Sequence, residues 1–157
     1  MADEITSISA SRLSQAIKNR DVSCVEVMRA YLEQIHQYNP LYNAIISLVD
    51  DLELMRQAEA ADEALHKGEY WGWMHGMPHA IKDLGDVQGL VSTYGSPIFA
   101  ENVALADSLP VARIRAQGAI FIGKTNVPEF GAGSQTYNVV FGATRNAYNP
   151  RLTAGGS

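Results

Sequence analysis

The chain has 157 residues, of which 46% are hydrophobic and 18% charged, and its net charge is −5. That composition suits one folded domain with a real core and excludes disorder. The acidic balance, with basic residues dispersed, argues against nucleic acid or an anionic membrane as the main partner.

The N-terminal stretch MADEITSISA is acidic and polar. It has no apolar h-region, so it does not read as a signal peptide, and no apolar run approaches a membrane span. The single cysteine, Cys24, rules out an intrachain disulfide and fits a reducing compartment. A cytoplasmic location is the expectation.

Residues 7–20 read as a helix, with Leu13, Ala16 and Ile17 on one face and Ser9 or Ser11 as the cap. Residues 23–38 form a stronger helical pattern. Cys24, Met28, Tyr31 and Ile35 make an apolar stripe, and Ser23 with Glu26 completes a capping box. Asn39-Pro40 is expected to end this helix. Asn43–Val49 suits a short strand, and residues 51–67 a third helix ended by Gly68.

A turn region with Trp71 and Trp73 leads into an apolar strand over residues 77–82, closed by Lys82. Residues 84–106 mix Gly, Ser and Pro and predict little regular structure. Asp107 or Ser108 is placed to cap a helix through LPVARIRAQ, with Pro110 in its first turn and Gly118 at its end. Ala119–Gly123 reads as a buried strand. The remainder is loop-rich, with at most a short strand near Val139–Phe141. Helices followed by alternating strand and helix predict an α/β fold.

Gly118–Thr125 formally matches the phosphate-loop pattern G-x-x-x-x-G-K-T. That loop needs a strand before its first glycine and a flexible backbone after it. Here a helix precedes Gly118, and the four intervening residues are apolar and strand-like, so a nucleotide-binding module is the weaker alternative. His75 and His79 are four apart, but Gly76 and Pro78 forbid the helix that would align them as metal ligands. Cys24 lies in an apolar helical stripe and reads as a core residue rather than a nucleophile. Trp71 and Trp73 read as packing rather than as a ligand pocket.

Lys82 carries two readings. One is a strand-end lysine that snorkels to water and pairs with Asp83. The other is a desolvated lysine, since burial disfavours the charged form and leaves an amine able to act as a base. Ser157, taken alone, is a serine in a glycine turn.

Several segments together resemble the amidase signature family of serine hydrolases acting on carboxylic amides. They are NPLYNA, HGMPHAIKDL, DSLPVARIRAQGAIFIGKTNVPEFGAGSQTYN, FGATRNAYNP and the terminal AGGS, in the family's order from about Ser23 onward. Asn146-Ala147 departs from the Asn-Pro often found after GATR in that family. The resemblance implies an α/β fold with a central mixed β-sheet and helices on both faces. It also implies that residues 1–157 are the N-terminal part of a single such domain, ending inside the signature region.

By the same resemblance Lys82 is the general base and acid, and Ser157 is the bridging serine, entered through a cis peptide. Gly131, Ala132 and Gly133 are the loop that lies along the substrate amide. The nucleophilic serine would lie beyond Ser157, so this stretch alone is expected to be inactive. The resemblance implies no metal and no cofactor. The implied partner is a small-molecule amide, with no nucleic acid or membrane; the rest of the same protein as a second chain, and a homodimer, are further expectations. The alternative within amide chemistry is the amidase-like subunit of a tRNA-dependent amidotransferase. A catalytically dead piece kept for interaction is a third reading.

Overall fold

The computed structural model describes residues 2–156. The elements in chain order are α1 (Ala2–Ser7), α2 (Ala10–Asn19), α3 (Cys24–Tyr42), β1 (Ile45–Ile46), α4 (Asp51–His66), β2 (Pro78–Lys82), α5 (Leu109–Arg115), β3 (Ile120–Thr125), β4 (Tyr137–Asn138) and β5 (Gly142–Ala143). The fold class is α/β with a mixed sheet. β1, β3 and β2 are hydrogen-bonded in that order, and β4 pairs with β5. β1 runs antiparallel to β3, with Ile45 opposite Thr125 and Ile46 opposite Lys124. β2 and β3 run in the same sense: Ile120 N donates to Met77 O at one end and Asp83 N donates to Thr125 O at the other.

The chain divides into two compact units. The first comprises Met1–Ile35, Val49–His79 and Ala112–Ile122. Its core contains Leu13, Ile17, Val27, Met28, Leu54 and Phe121, all buried. Ser9 caps α2 through the Arg12 N–H. At the start of α3 the capping box forms as expected: Ser23 N donates to the Glu26 carboxylate at 2.9 Å, and Glu26 N donates to Ser23 Oγ at 3.1 Å. That hydrogen bonding holds the Glu26 carboxyl below its usual range. Asp62 of α4 adds to this end by accepting from the Cys24 and Val25 N–H groups at 2.7 and 3.1 Å.

The second unit comprises His36–Leu48, Ala80–Val111 and Gly123–Ser157. Two sequence expectations change here. α3 does not stop at Pro40 but runs through it to Tyr42. The stop comes three residues after Pro40, at Asn43, whose φ is 51°, and the Asn39 side chain takes the N–H groups of Ala44 and Ile45 that follow it. The expected strand at Val139–Phe141 is instead the turn between β4 and β5. Asn138 Oδ1 accepts from the N–H groups of Val140 and Phe141 at 2.9 and 2.8 Å, which closes the chain on itself. Val139 is 83% exposed at the tip. The helix expected over residues 7–20 begins at Ala10, after a separate α1 that the sequence did not suggest; the strand expected over Asn43–Val49 is only Ile45–Ile46; and β3 extends through Lys124 to Thr125.

Candidate active site

Lys82 is the last residue of β2 and is half-buried, directly after the buried Ile81. Ser157 lies outside the described residues, as does the peptide bond that precedes its Cα. The backbone leading into it is well anchored. Gly156 N donates to Ser134 O at 2.9 Å, and Thr136 Oγ1 donates to Gly156 O at 3.0 Å. Thr136 N donates to Ala154 O, so residues 154–156 run beside residues 134–136.

Gly131, Ala132 and Gly133 follow a single 3-10 turn, Glu129–Gly131, in which Gly131 N donates to Pro128 O and Ala132 N to Glu129 O. Gly131 has a φ of 70°, and a Cβ there would stand 2.8 Å from Leu84 Cδ1. Glycine meets both conditions at no cost. Beside this loop lies an open cleft of about 440 Å³ lined by Pro128, Glu129, Ala132, Gly133, Tyr137 and Asn138, among others. Asn138 fixes its floor. Its side-chain Nδ2 donates to Asn126 Oδ1 and to Val127 O, both at 2.7 Å.

Asp83, named as a partner in one sequence reading of Lys82, forms with Lys124 a buried pair that no sequence reading singled out. Asp83 is 1% exposed and Lys124 is fully buried, and their charges meet at 3.3 Å. Lys124 Nζ also donates to Gly85 O at 2.7 Å and to Ser92 Oγ at 2.9 Å. Three oxygen acceptors around one nitrogen suit the ammonium form. Desolvation pulls Lys124 below the ordinary lysine range, and the Asp83 carboxylate opposes that pull. Asp83 accepts from Thr93 N at 3.1 Å and from Thr93 Oγ1 at 2.6 Å. The lysine of the formal phosphate-loop pattern is therefore committed inside the protein, and residues 120–125 are strand rather than loop. The signal for this was present in the sequence: a lysine two residues beyond an apolar strand run needs a buried counter-ion if the strand continues through it.

The other candidates read as structure. His75 is buried, with Nδ1 accepting from Trp71 N at 3.1 Å and Nε2 left to donate to Ala61 O at 2.9 Å. Burial, with the Asp62 carboxylate nearby, pushes the Cys24 thiol far up, so it is no nucleophile. Trp71 packs its ring 4.6 Å from that of His75. Among the described residues no helix is long and apolar enough to cross a membrane.

Residues 26–157 match the Amidase family model. The chain belongs to the amidase family. Enzymes of this amidase signature family hydrolyse amides. The chain is 35% identical to an acylamidase from Rhodococcus erythropolis over 96% of its own length and 31% of that protein. It is 37% identical to a glutamyl-tRNA(Gln) amidotransferase subunit from Marinomonas sp. (strain MWYL1), over 95% of its length and 30% of that relative. In structure it is similar to a bacterial aryl acylamidase of the amidase signature family, with a TM-score of 0.88 at 28% identity, covering 96% of this chain and 31% of that one. The chain thus spans about a third of the length of the relatives it matches.

Proposed function

We propose that the protein carrying this chain hydrolyses a carboxylic amide through a serine acyl-enzyme, with Lys82 as general base and acid and Ser157 as the relay. The carrying observation is local. The backbone at Gly156 is held against Ser134, one residue past the Gly131-Ala132-Gly133 loop and beside the cleft. The proposal sets the Ser157 hydroxyl beside that cleft, where a substrate amide would lie.

The chemistry follows from what each group can do. A serine hydroxyl is a weak nucleophile until a base takes its proton. The nucleophilic serine, supplied by a segment outside this chain, gives its proton to the Ser157 hydroxyl. Ser157 passes its own proton to the Lys82 amine, since a hydroxyl both donates and accepts. The nucleophile's oxygen bonds to the amide carbon, and the C–N bond then breaks. The proton returns along the same route to the leaving nitrogen, which departs as amine or ammonia. Water, deprotonated in the same way, then cleaves the acyl ester. Main-chain and side-chain donors would hold the oxyanion, and Gly131, Ala132 and Gly133 would lie along the substrate. On this proposal, residues 1–157 are inactive without the segment that carries the nucleophile.

A small amide in the cleft, a cytoplasmic setting, the rest of the protein as covalent or separate partner, and a homodimer belong to the same proposal. A second reading is favoured by the similarity to glutamyl-tRNA(Gln) amidotransferase subunits. In it the protein is the amidase-like subunit of a tRNA-dependent amidotransferase and works with partner subunits. Turnover of a panel of acetamide, benzamide, p-nitroacetanilide and glutamine by the full-length protein separates the two. Lys82→Ala should lose on the order of 1,000-fold or more in kcat with its fold intact. Undiminished turnover would remove Lys82 from the mechanism.

A further inference from the structure

Segment 92–96, Ser-Thr-Tyr-Gly-Ser, is fastened at both ends. At one end Ser92 Oγ accepts from Lys124 Nζ at 2.9 Å, and Thr93 gives Asp83 both its backbone N–H and its hydroxyl. Asp83 directly follows Lys82 in the chain and is itself locked to β3 through Thr125 O. At the other end Ser96 Oγ bonds to Glu129 Oε1 at 2.6 Å, and Phe130 N donates to Tyr94 O at 2.7 Å.

Tyr94 and Phe130 both have a φ of 54°, a conformation that costs a non-glycine residue about 1 kcal/mol or more. Phe99 packs edge-on against both rings, at 5.3 and 6.2 Å. Such strain persists only where the surroundings over-determine it. Glu129 and Phe130 immediately precede Gly131-Ala132-Gly133. Within the segment, Gly95 N donates to Thr93 Oγ1, which joins the two ends.

We infer that segment 92–96 is a rigid brace between the catalytic lysine and the substrate loop, with Asp83, Lys124, Thr93, Ser96 and Glu129 as positioning residues. The inference rests on the proposed role of Lys82. Asp83 and Lys124 do not touch substrate. They form a dry, fully bonded anchor that the brace grips, so that the end of β2 and the Gly131 loop keep one spacing. A buried pair gains little net stability over an apolar one, but it fixes a unique arrangement of the backbone around it. A misplacement of about 1 Å in a reacting group costs on the order of 100-fold in rate.

The experiment measures kcat and KM on p-nitroacetanilide, or on the best amide of the panel, for full-length variants shown to be folded by circular dichroism. Thr93→Val keeps the volume and removes the hydroxyl that Asp83 receives. It should lower kcat at least about tenfold with KM within about twofold. Thr93→Ser restores the hydroxyl and should recover most of the loss. Ser96→Ala cuts the far end and should show the same split. The double variant Thr93→Val/Ser96→Ala should lose less than the product of the two single losses, because one brace is already slack.

A folded Thr93→Val protein with wild-type kcat overturns the brace, as does a kcat loss that serine does not rescue. If Thr93→Val does not fold, Ser96→Ala reads the same brace from its other end. Lys82→Ala in the same preparation tells the two readings apart. Undiminished turnover there overturns the function itself. Lost turnover there with an insensitive Thr93→Val overturns only the brace.

Discussion

Replacing Lys124 with methionine tests the energetics of the buried pair most directly. Methionine fills most of the space but brings no charge. Asp83, 1% exposed, then keeps its Thr93 bonds and loses its counter-ion. Gly85 O and Ser92 Oγ lose their donor as well. Leaving one member of a buried pair uncompensated costs about 3–5 kcal/mol, a large share of the roughly 5–15 kcal/mol that holds a domain together. The comparison is the Arg56–Glu53 pair, shorter at 2.7 Å but with side chains 68% and 40% exposed. Water already solvates that pair, so Glu53→Gln should barely move the unfolding midpoint. Urea unfolding of the full-length protein, followed by far-UV circular dichroism, measures both. Adding Asp83→Asn to Lys124→Met should return part of the loss, since the orphaned charge is gone. A Lys124→Met cost within the error of Glu53→Gln would refute the reasoning that burial, not distance, sets the worth of these pairs.

Two more outcomes follow from other parts of the fold. Gly76 has a φ of 69°, and a Cβ there would collide with Cys24 Sγ and come within 2.8 Å of Cys24 Cβ. Gly76→Ala should therefore cost about 2–4 kcal/mol from overpacking and left-handed backbone together. Cys24→Ala in the same chain should relieve part of it, and a simple sum of the two single effects in denaturant melts would contradict the packing argument. Tyr94 donates to Asp86 at 2.6 Å, and that bond, with burial, pushes its phenol up to about 12. A raised folded value means its stabilising bond is fully present below the ordinary tyrosine range near pH 10 and is lost as pH rises through about 12. The stability difference between wild type and Tyr94→Phe should thus vanish over that window, and a difference that stays constant through it would show that the Asp86 bond does not hold the proton.

Local signals are legible wherever a few neighbouring residues decide the structure. The capping box of Ser23 and Glu26, the cap at Ser9 and the lysine at the end of β2 can all be read from adjacent residues, and the family follows from the order of its motifs. Misreadings came where a side chain outside the pattern took over. Val139–Phe141 is as apolar as a strand, but Asn138 satisfies its N–H groups and makes it a turn. Pro40 lacks an N–H, yet the helix passes it, and the Asn39 side chain takes up the N–H groups that follow.

The family is written in the order of its motifs, and so it can be read without a fold. The separate fates of the two lysines cannot. Lys82 ends one apolar strand, and Lys124 sits one residue before the end of another. Lys124 is the one whose Nζ meets Asp83, Gly85 and Ser92, brought to it from positions 83 to 92 of the chain. Near neighbours can call for a counter-ion to Lys124, but they cannot say which residues supply it, because those contacts with partners far along the chain exist only once the sheet has formed.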